Sequence, residues 1–231
     1  MLNFNFSWII LIFNTNINHS LMARLINGIN GPFIGKAGSV IGYTVNGVGY
    51  MKGLYKKRTK KPKEGEILNR KKFAAAHAWL LPLLDFVRVG FKGYNERFQG
   101  FTAAKSWLMK NCIQIIDGEI VIDPSLVKIS SGNLPLPENI QCSLQEPNTF
   151  RVSWTPVRER GFLHDQAMVM AYDLKNGAYG IVLGSDRTSG EVLVPVYPSS
   201  NPYHVYIAFI AADRSRQSDS VYLGEFWVLK S

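Results

Sequence analysis

Short runs of alternating apolar and polar residues fill the C-terminal part of the chain, from residue 138 onward. In the run 149–154, Phe150, Val152 and Trp154 share one face, as in a strand that buries a single side. Turn residues separate the runs at regular intervals. The pattern predicts strands at 140–144, 149–154, 167–173, 180–184, 191–196, 203–211 and 220–227.

The run 203–211 divides its residues between two faces. The inward face holds Tyr203, Val205, Ile207 and Phe209, and the outward face holds His204 and Tyr206. Short strands at this spacing over about 95 residues are typical of an antiparallel β-sandwich. We therefore predict two stacked sheets over residues 138–231.

The region 22–130 begins with a glycine-rich stretch. Asn46-Gly47 lies between β-favouring residues at 40–45 and 48–51. Such a pair is a strong hairpin signal, because a type I′ turn needs positive φ at both central positions. Asp117-Gly118 lies between two further apolar runs and predicts a second hairpin.

Helical periodicity separates these two hairpins. The residues near one face are Ile67, Ala74, Ala78 and Leu81, with Phe73, Leu80, Leu84 and Val87 beside them. Pro82 either kinks this helix or occupies the first turn of a second one. Another helix is predicted with Thr102 as its N-cap and is expected to run through Cys112. The predicted fold is thus an α+β N-terminal region followed by an all-β sandwich.

Charge is distributed unevenly along the chain. Residues 22–130 hold 18 Lys and Arg against 7 Asp and Glu, a net charge of +11, whereas residues 131–231 hold 8 against 10, a net charge of −2. Ser130 to Pro137 reads as a linker. We predict a basic domain at 22–130, a linker at 131–137 and the sandwich at 138–231.

A dense basic run lies within residues 52–72. The candidate polyanion-binding residues are Lys52, Lys56, Lys57, Arg58, Lys60, Lys61, Lys63, Arg70, Lys71 and Lys72. Such a run can neutralise several phosphates without regard to sequence, and Tyr50 and Tyr55 could stack on bases. The alternatives are a solvated loop that contacts acidic surfaces or nothing in particular, and binding to an anionic membrane or glycan surface.

No motif in the chain specifies a reaction, a metal or a cofactor. Gly31 to Ala37 has one residue too few for a phosphate loop, and Ala37 lacks the hydroxyl that binds magnesium. No histidine lies at ligand spacing from another ligand, and His164-Asp165 reads as a solvated pair. Cys112 and Cys142 read as buried thiols. We predict a non-enzymatic protein with no catalytic, cofactor-binding or metal residues.

Residues 1–21 carry an apolar core, 6–13, that is too short to span a bilayer and lacks the flanks of a secretory signal. We interpret them as an over-extended start or non-structural leader, with Met22 as the true start. The alternative is a divergent signal or a membrane-surface segment. The first interpretation implies a cytoplasmic protein and the second an exported one, and neither predicts an integral membrane span.

The predicted sandwich resembles a fibronectin type III module, a member of the immunoglobulin-like sandwiches. The segments that carry the resemblance are VSW at 152–154 as its second strand, AYD at 171–173 as its third, and 203–226 as its last two. The resemblance implies a module that binds or scaffolds.

From Met22 onward the chain also resembles a family of uncharacterised proteins known mainly from Bacteroidetes genomes, domain of unknown function 6266. The matching segments lie at 27–47, 56–62, 69–73, 86–91, 130–139 and 218–224. This resemblance implies no known activity. We expect a structural or interaction protein that binds other proteins, within a surface or phage-like assembly, and keep a nucleic-acid-binding protein that uses residues 52–72 as the alternative. The oligomeric state is left open.

Overall fold

The computed structural model of the chain describes residues 24–25, 31–45, 47–95, 99–145, 147–159, 161–177 and 179–228. The chain forms two compact units, residues 1–61 and residues 62–231. The predictions of a leader at 1–21 and a start at Met22 lie outside the described residues.

A four-stranded antiparallel sheet occupies the first unit, in the order β1-β2-β3-β4. Its strands are β1 (Arg24–Leu25), β2 (Phe33–Ala37), β3 (Val40–Val45) and β4 (Val48–Gly53). Val45 pairs with Val48, so two residues connect β3 to β4, and Gly47 has the positive φ of 79° that the turn requires. The predicted hairpin is confirmed; Asn46 itself lies outside the described residues.

The second unit opens with its helices. They are α1 (Glu64–Leu80), α2 (Leu84–Gly90) and α3 (Gly100–Asn111). A short 3-10 turn, Leu81–Leu83, connects α1 to α2 and contains Pro82. Proline is tolerated there because the first residues of a helical turn donate no internal hydrogen bond.

The buried face of these helices differs from the predicted one. Ile67, Ala74, Ala78 and Leu81 are all exposed. The buried positions are Ala76, Leu80, Leu83, Phe86, Val87 and Gly90, so only Leu80 and Val87 of the predicted residues are buried. The stretch is rich in alanine and in long apolar residues on every side, so several faces suit burial and periodicity alone does not choose between them.

By length and composition the helical stretch Glu64–Gly90 could cross a bilayer, with a mean hydropathy of 1.2 over its most apolar window. A third of that window, 33%, is buried inside the protein. The core helix of a soluble protein passes the same test. The described residues therefore contain no clear membrane span.

A second hairpin follows α3. It consists of β5 (Ile113–Ile116) and β6 (Glu119–Ile122). Asp117 and Gly118 have φ values of 51° and 81°, the conformation that the sequence predicts for this turn.

The sandwich consists of strands β7 (Gln141–Gln145), β8 (Thr149–Ser153), β9 (Gln166–Asp173), β10 (Tyr179–Asp186), β11 (Glu191–Pro195), β12 (Tyr203–Ile210) and β13 (Val221–Phe226). They form a three-stranded sheet, β11-β8-β7, and a four-stranded sheet, β10-β9-β12-β13. Neighbouring strands are antiparallel. The predicted strands and their sandwich arrangement are confirmed.

The core between the two sheets holds the residues that alternation places inward. Phe150, Val152 and Trp154 meet Tyr203, Val205, Ile207 and Phe209 there, and each of these side chains is buried. Trp154 packs edge-to-face on Phe209 with ring centroids 5.2 Å apart, and its indole Nε1 donates to the carbonyl oxygen of Arg187 at 2.8 Å. The indole ring of Trp154 is therefore packed in the core, and its N–H has a hydrogen-bond acceptor.

A second core lies on the opposite face of the four-stranded sheet. Met168, Met170, Tyr206 and Ala208 pack there with residues of the helices, including Leu80, Leu83, Val87 and Leu108. Because the helices cover this face, His204 and Tyr206 are buried, and their predicted outward position does not mean exposure. The second unit thus has three layers: helices, a four-stranded sheet and a three-stranded sheet.

Hydrogen bonds join the segment 131–137 to the end of α2 and to the connection between β12 and β13. The backbone N–H of Ser131 donates to Gly90 at 2.9 Å, and that of Leu134 donates to Gln217 at 3.0 Å. The side chain of Leu134 is buried in the sandwich core. The compact units divide after residue 61. Whether the parts on either side of that linker fold independently stays a prediction.

Candidate interaction surfaces

The predicted polyanion-binding residues occupy three structural settings. Lys52 lies on β4, Lys63 directly precedes α1, and the others lie between β4 and α1 or on α1 itself. The stretch without regular secondary structure carries Lys56, Lys57, Arg58, Lys60 and Lys61, and α1 carries Arg70, Lys71 and Lys72. Lys72 is half-buried and the rest are exposed. The first unit holds the residues up to Lys61 and the second unit holds the remainder.

Two of these cations have partners within their own segment. The Arg58 guanidinium donates to the carbonyl oxygen of Lys60 at 2.9 Å and to that of Lys61 at 3.4 Å. Arg70 forms an exposed ion pair with Glu66, one helical turn away, at 2.6 Å. Exposed pairs of this kind contribute little to stability. Both guanidinium groups therefore stay at the surface.

The charge is also distributed unevenly between the two compact units. Residues 1–61 contain 8 of the 26 Lys and Arg residues and none of the 17 Asp and Glu residues. Residues 62–231 contain the other 18 basic and all 17 acidic residues. The first unit thus has a net charge of +8 and the second of +1. Nearly all of the excess charge belongs to the first unit.

One end of the sandwich exposes two large aromatic side chains. Tyr197 is 80% exposed and Trp227 is 53% exposed. The segments that carry them are neighbours, because the N–H of Ser199 donates to the carbonyl oxygen of Val228 at 2.9 Å. The buried Tyr203 also holds this region, since its hydroxyl donates to the carbonyl oxygen of Tyr197 at 2.9 Å. We call Tyr197 and Trp227 the aromatic end. Both lie outside the strands of the structure, although the sequence pattern places Trp227 at the end of the strand predicted at 220–227.

A cavity of about 550 Å³ lies beside a buried ion pair of Arg187 and Asp165. The side chains of Arg187 and Asp165 are 3% and 5% exposed, with Nη1 3.6 Å from Oδ2. The guanidinium also lies over the rings of Phe162 and Phe209, at 5.1 and 5.4 Å. Burial lowers the pKa of Arg187 and raises the pKa of Asp165. The prediction that His164-Asp165 is a solvated pair is wrong for Asp165, because Asp165 is buried and forms an ion pair with the buried Arg187.

A junction of polar groups joins the end of α2, the segment 128–134 and the β12–β13 connection. Ser130 Oγ lies 3.1 Å from the carbonyl oxygen of Gly90 and 2.7 Å from that of Ser218. Asp219 accepts a hydrogen bond from Lys128 at 2.7 Å. Burial raises the pKa of this carboxyl, but the hydrogen bonds to it lower that pKa by more. The junction fixes three segments that are distant in sequence.

Gly90 allows this junction to form. A Cβ at this position would collide with the carbonyl oxygen of Ile129 and lie 2.9 Å from the Cα of Ser130. Only glycine lets the two backbones approach so closely. The family resemblance at 86–91, 130–139 and 218–224 therefore rests on segments that meet at one structural junction.

His204 and the two cysteines lie in environments that shift their pKa values. No three His, Cys, Asp or Glu side chains among the described residues are grouped so as to hold a metal. His204 Nδ1 lies 2.9 Å from the hydroxyl of Tyr222, and burial lowers the pKa of this histidine. Burial raises the pKa of both thiols, Cys112 and Cys142, to about 11. Neither thiol forms a reactive thiolate at neutral pH.

Comparison with known proteins gives one structural likeness and one family. The sandwich itself consists of antiparallel strands in sheets of three and four. The solution structure of the fibronectin type III domain of human collagen alpha-1(XX) chain is similar at 23% sequence identity and a TM-score of 0.33, over 44% of this chain and 91% of that one. No curated protein matches the chain. The sequence model of a family of unknown function, DUF6266, matches residues 32–224, and the protein therefore belongs to that family.

Proposed function

We propose that this protein is a non-enzymatic interaction protein whose sandwich unit binds a protein partner through the aromatic end. The observation that carries this proposal is the exposure of Tyr197 and Trp227 on adjacent backbone segments. Tyrosine and tryptophan are enriched at protein interfaces, where their apolar bodies are buried and their polar groups bond to the partner.

The support beneath the aromatic end favours a preformed binding surface. Phe150 packs against Tyr203 and Phe226, with ring centroids 5.9 and 5.4 Å away. Tyr203 in turn bonds to the backbone of Tyr197. A surface whose backbone is already fixed loses less conformational entropy on binding.

The proposal of a non-catalytic role rests on the chemistry of the described side chains. The thiols of Cys112 and Cys142 have raised pKa values, and the buried Asp165 is paired with Arg187. A surface or phage-like assembly is a setting suggested by fold analogy alone, since sandwich modules are common there.

The test is affinity capture with the full-length chain and two variants. Tyr197→Ala/Trp227→Ala removes the aromatic end, and Leu81→Ala removes an exposed apolar side chain of the helical layer as the matched control. Loss of two interface anchors is expected to weaken a complex by at least about 30-fold. Partners recovered with the wild type and the control should disappear with the double variant. Identical recovery with all three proteins would contradict the proposal.

A second candidate function is polyanion binding by the predicted basic residues, and the segregation of charge into residues 1–61 favours it. A protein that neutralises four phosphates loses affinity with salt at a log–log slope of about −3.6 on duplex DNA and about −2.8 on a single strand. Replacement of Lys56, Lys57, Arg58, Lys60 and Lys61 by alanine should reduce both affinity and slope. If the wild type binds neither nucleic acid nor heparin at low salt, this candidate fails.

A further inference from the structure

The sheet of the first unit has one face that combines aromatic, aliphatic and basic side chains. The β3–β4 register places Tyr43 opposite Tyr50 and Ile41 opposite Lys52, and β2 adds Lys36 opposite Ile41. Because side chains alternate along a strand, these residues share one side of the sheet. We call this side, defined by Lys36, Ile41, Tyr43, Tyr50 and Lys52, the tyrosine face.

The two tyrosines form a platform. Their ring centroids are 5.7 Å apart and their planes differ by 22°. Tyr43 is 37% exposed and Tyr50 is 49% exposed, so both rings present surface to solvent. The ammonium of Lys52 lies 5.0 Å from the centroid of the Tyr43 ring. A cation is thus held beside an accessible aromatic surface.

The opposite side of the sheet is different. It carries Gly42 and Gly49, and a Cβ at either position would collide with a neighbour, Phe33 at the first and Pro32 at the second. Residues 32 and 33 therefore pack closely onto the sheet at its glycines. The glycine-rich sequence serves this close packing, while the tyrosine face keeps its aromatic rings accessible.

Charge and ring chemistry together select the ligand. Residues 1–61 contain no Asp or Glu, so a polyanion meets no repulsion from carboxylates of this unit. Single-stranded nucleic acid presents phosphates for lysines and unpaired base faces for aromatic rings. A duplex hides its base faces, and anionic polysaccharides and lipid headgroups lack them.

We infer that the tyrosine face binds single-stranded nucleic acid, with bases stacked on Tyr43 and Tyr50 and phosphates on Lys36 and Lys52. This inference rests on the second candidate function, polyanion binding, and adds to it a surface and a ligand class. The sequence names Tyr50 and Tyr55 as base-stacking candidates. Of these, Tyr50 lies on the tyrosine face, and the cross-strand register adds Tyr43 and Lys36.

The test is fluorescence anisotropy with the full-length chain and a labelled oligothymidylate of about 16 nucleotides. Tyr43→Leu/Tyr50→Leu keeps an apolar side chain but removes the aromatic rings, and should weaken binding by about 30-fold, the effect of two lost stacking contacts. Tyr43→Phe/Tyr50→Phe keeps the rings and should bind within about twofold of the wild type. Met51→Ala, on the opposite side of the sheet, is the matched surface control and should bind as the wild type does.

A second probe separates stacking from charge. Heparin carries negative charge but no bases, so the leucine variant should bind heparin as tightly as the wild type, and its salt slope on oligothymidylate should be unchanged. If the leucine variant keeps wild-type affinity for oligothymidylate while the five-alanine variant of residues 56–61 loses it, the tyrosine face is not the binding surface, although polyanion binding stands. If the wild type binds neither probe at low salt, both ideas fail. Thermal melting of each variant verifies that it is folded.

Discussion

Leu80 tests whether the helices and the sandwich form one cooperative unit. Its side chain is fully buried in the core that α1–α3 share with β9 and β12. Leu80→Ala removes three methylene-sized groups from this core and leaves a cavity between the helical layer and the sheet. Leu81→Ala, the next residue along the chain, makes the same chemical change at an exposed position and is the matched control.

Truncation of a fully buried leucine costs about 3 kcal/mol, the sum of lost transfer free energy and the cavity. The exposed control should cost less than about 0.5 kcal/mol. Small proteins have a total free energy of unfolding of about 5–15 kcal/mol, so the effect at Leu80 is a large share. For a unit of this size the midpoint of thermal unfolding should fall by about 6–12 °C.

Urea unfolding followed by circular dichroism and by hydrogen exchange measures the effect. One transition with an unchanged m-value and a lower midpoint is expected for Leu80→Ala. Exchange at the amides of β8 and β12 should accelerate together with exchange in α1, because loss of the shared core destabilises the whole unit. If only the helical amides exchange faster, the helices unfold separately, and the boundary that the sequence predicts at 131–137 is correct.

Three further predictions concern single sites. Gly90→Ala should destabilise the second unit by about 1–3 kcal/mol, because the added Cβ would collide with the backbone of Ile129. Gly65→Ala has open space around it and should not destabilise the unit, and thermal melts compare the two variants. Burial raises the pKa of Asp173, but hydrogen bonds led by that from Ser199 lower it by more, so Asp173→Asn should cost about 2 kcal/mol at pH 7. Because the folded-state pKa of Asp173 is lowered, its contribution to stability is present above the unfolded pKa of about 3.9 and is lost as the pH falls. The curves of stability against pH for the wild type and Asp173→Asn should therefore converge in acid. Curves that stay parallel would refute the assignment. Neither cysteine should react with Ellman's reagent at pH 8 as fast as in the unfolded chain, and fast reaction of the native protein would contradict the raised pKa values.

The sequence predicts the sandwich well because alternation and turn residues are local signals. Phe150, Val152 and Trp154 face the core as expected, and both two-residue turns lie where Asn-Gly and Asp-Gly predict them. Strand ends are within two residues of the predicted ones. Each of these features depends on residues close together in sequence, so a single chain suffices to identify them.

The helical layer is harder to predict because its position is a long-range property. The strands β9 and β12 are apolar on both faces, as in Met168 and Met170 on one and Val169 and Ala171 on the other. Such continuous apolar runs indicate a sheet that is covered on both sides. A search for alternating apolar and polar residues does not detect this signal. The apolar runs on both faces of β9 and β12 would have predicted a second layer that covers Tyr206.

The candidate surfaces are also only partly predictable from the sequence. The basic run is visible in the sequence, but its division between two compact units is not. Tyr197 and Trp227 become a pair only because Ser199 bonds to Val228, next to the paired ends of β12 and β13. Tyr43 becomes a partner of Tyr50 only through the register of β3 and β4. Surfaces assembled across strands require the fold before they can be identified.

Photo-crosslinking at the aromatic end tests the proposed interaction role most directly. A photoreactive amino acid in place of Trp227 should form an adduct with one partner protein in cells, and the same amino acid in place of Leu81 should not. Substitution of Tyr197 by alanine in the first protein should reduce that adduct. Absence of any adduct at position 227, or equal labelling from position 81, would contradict the account.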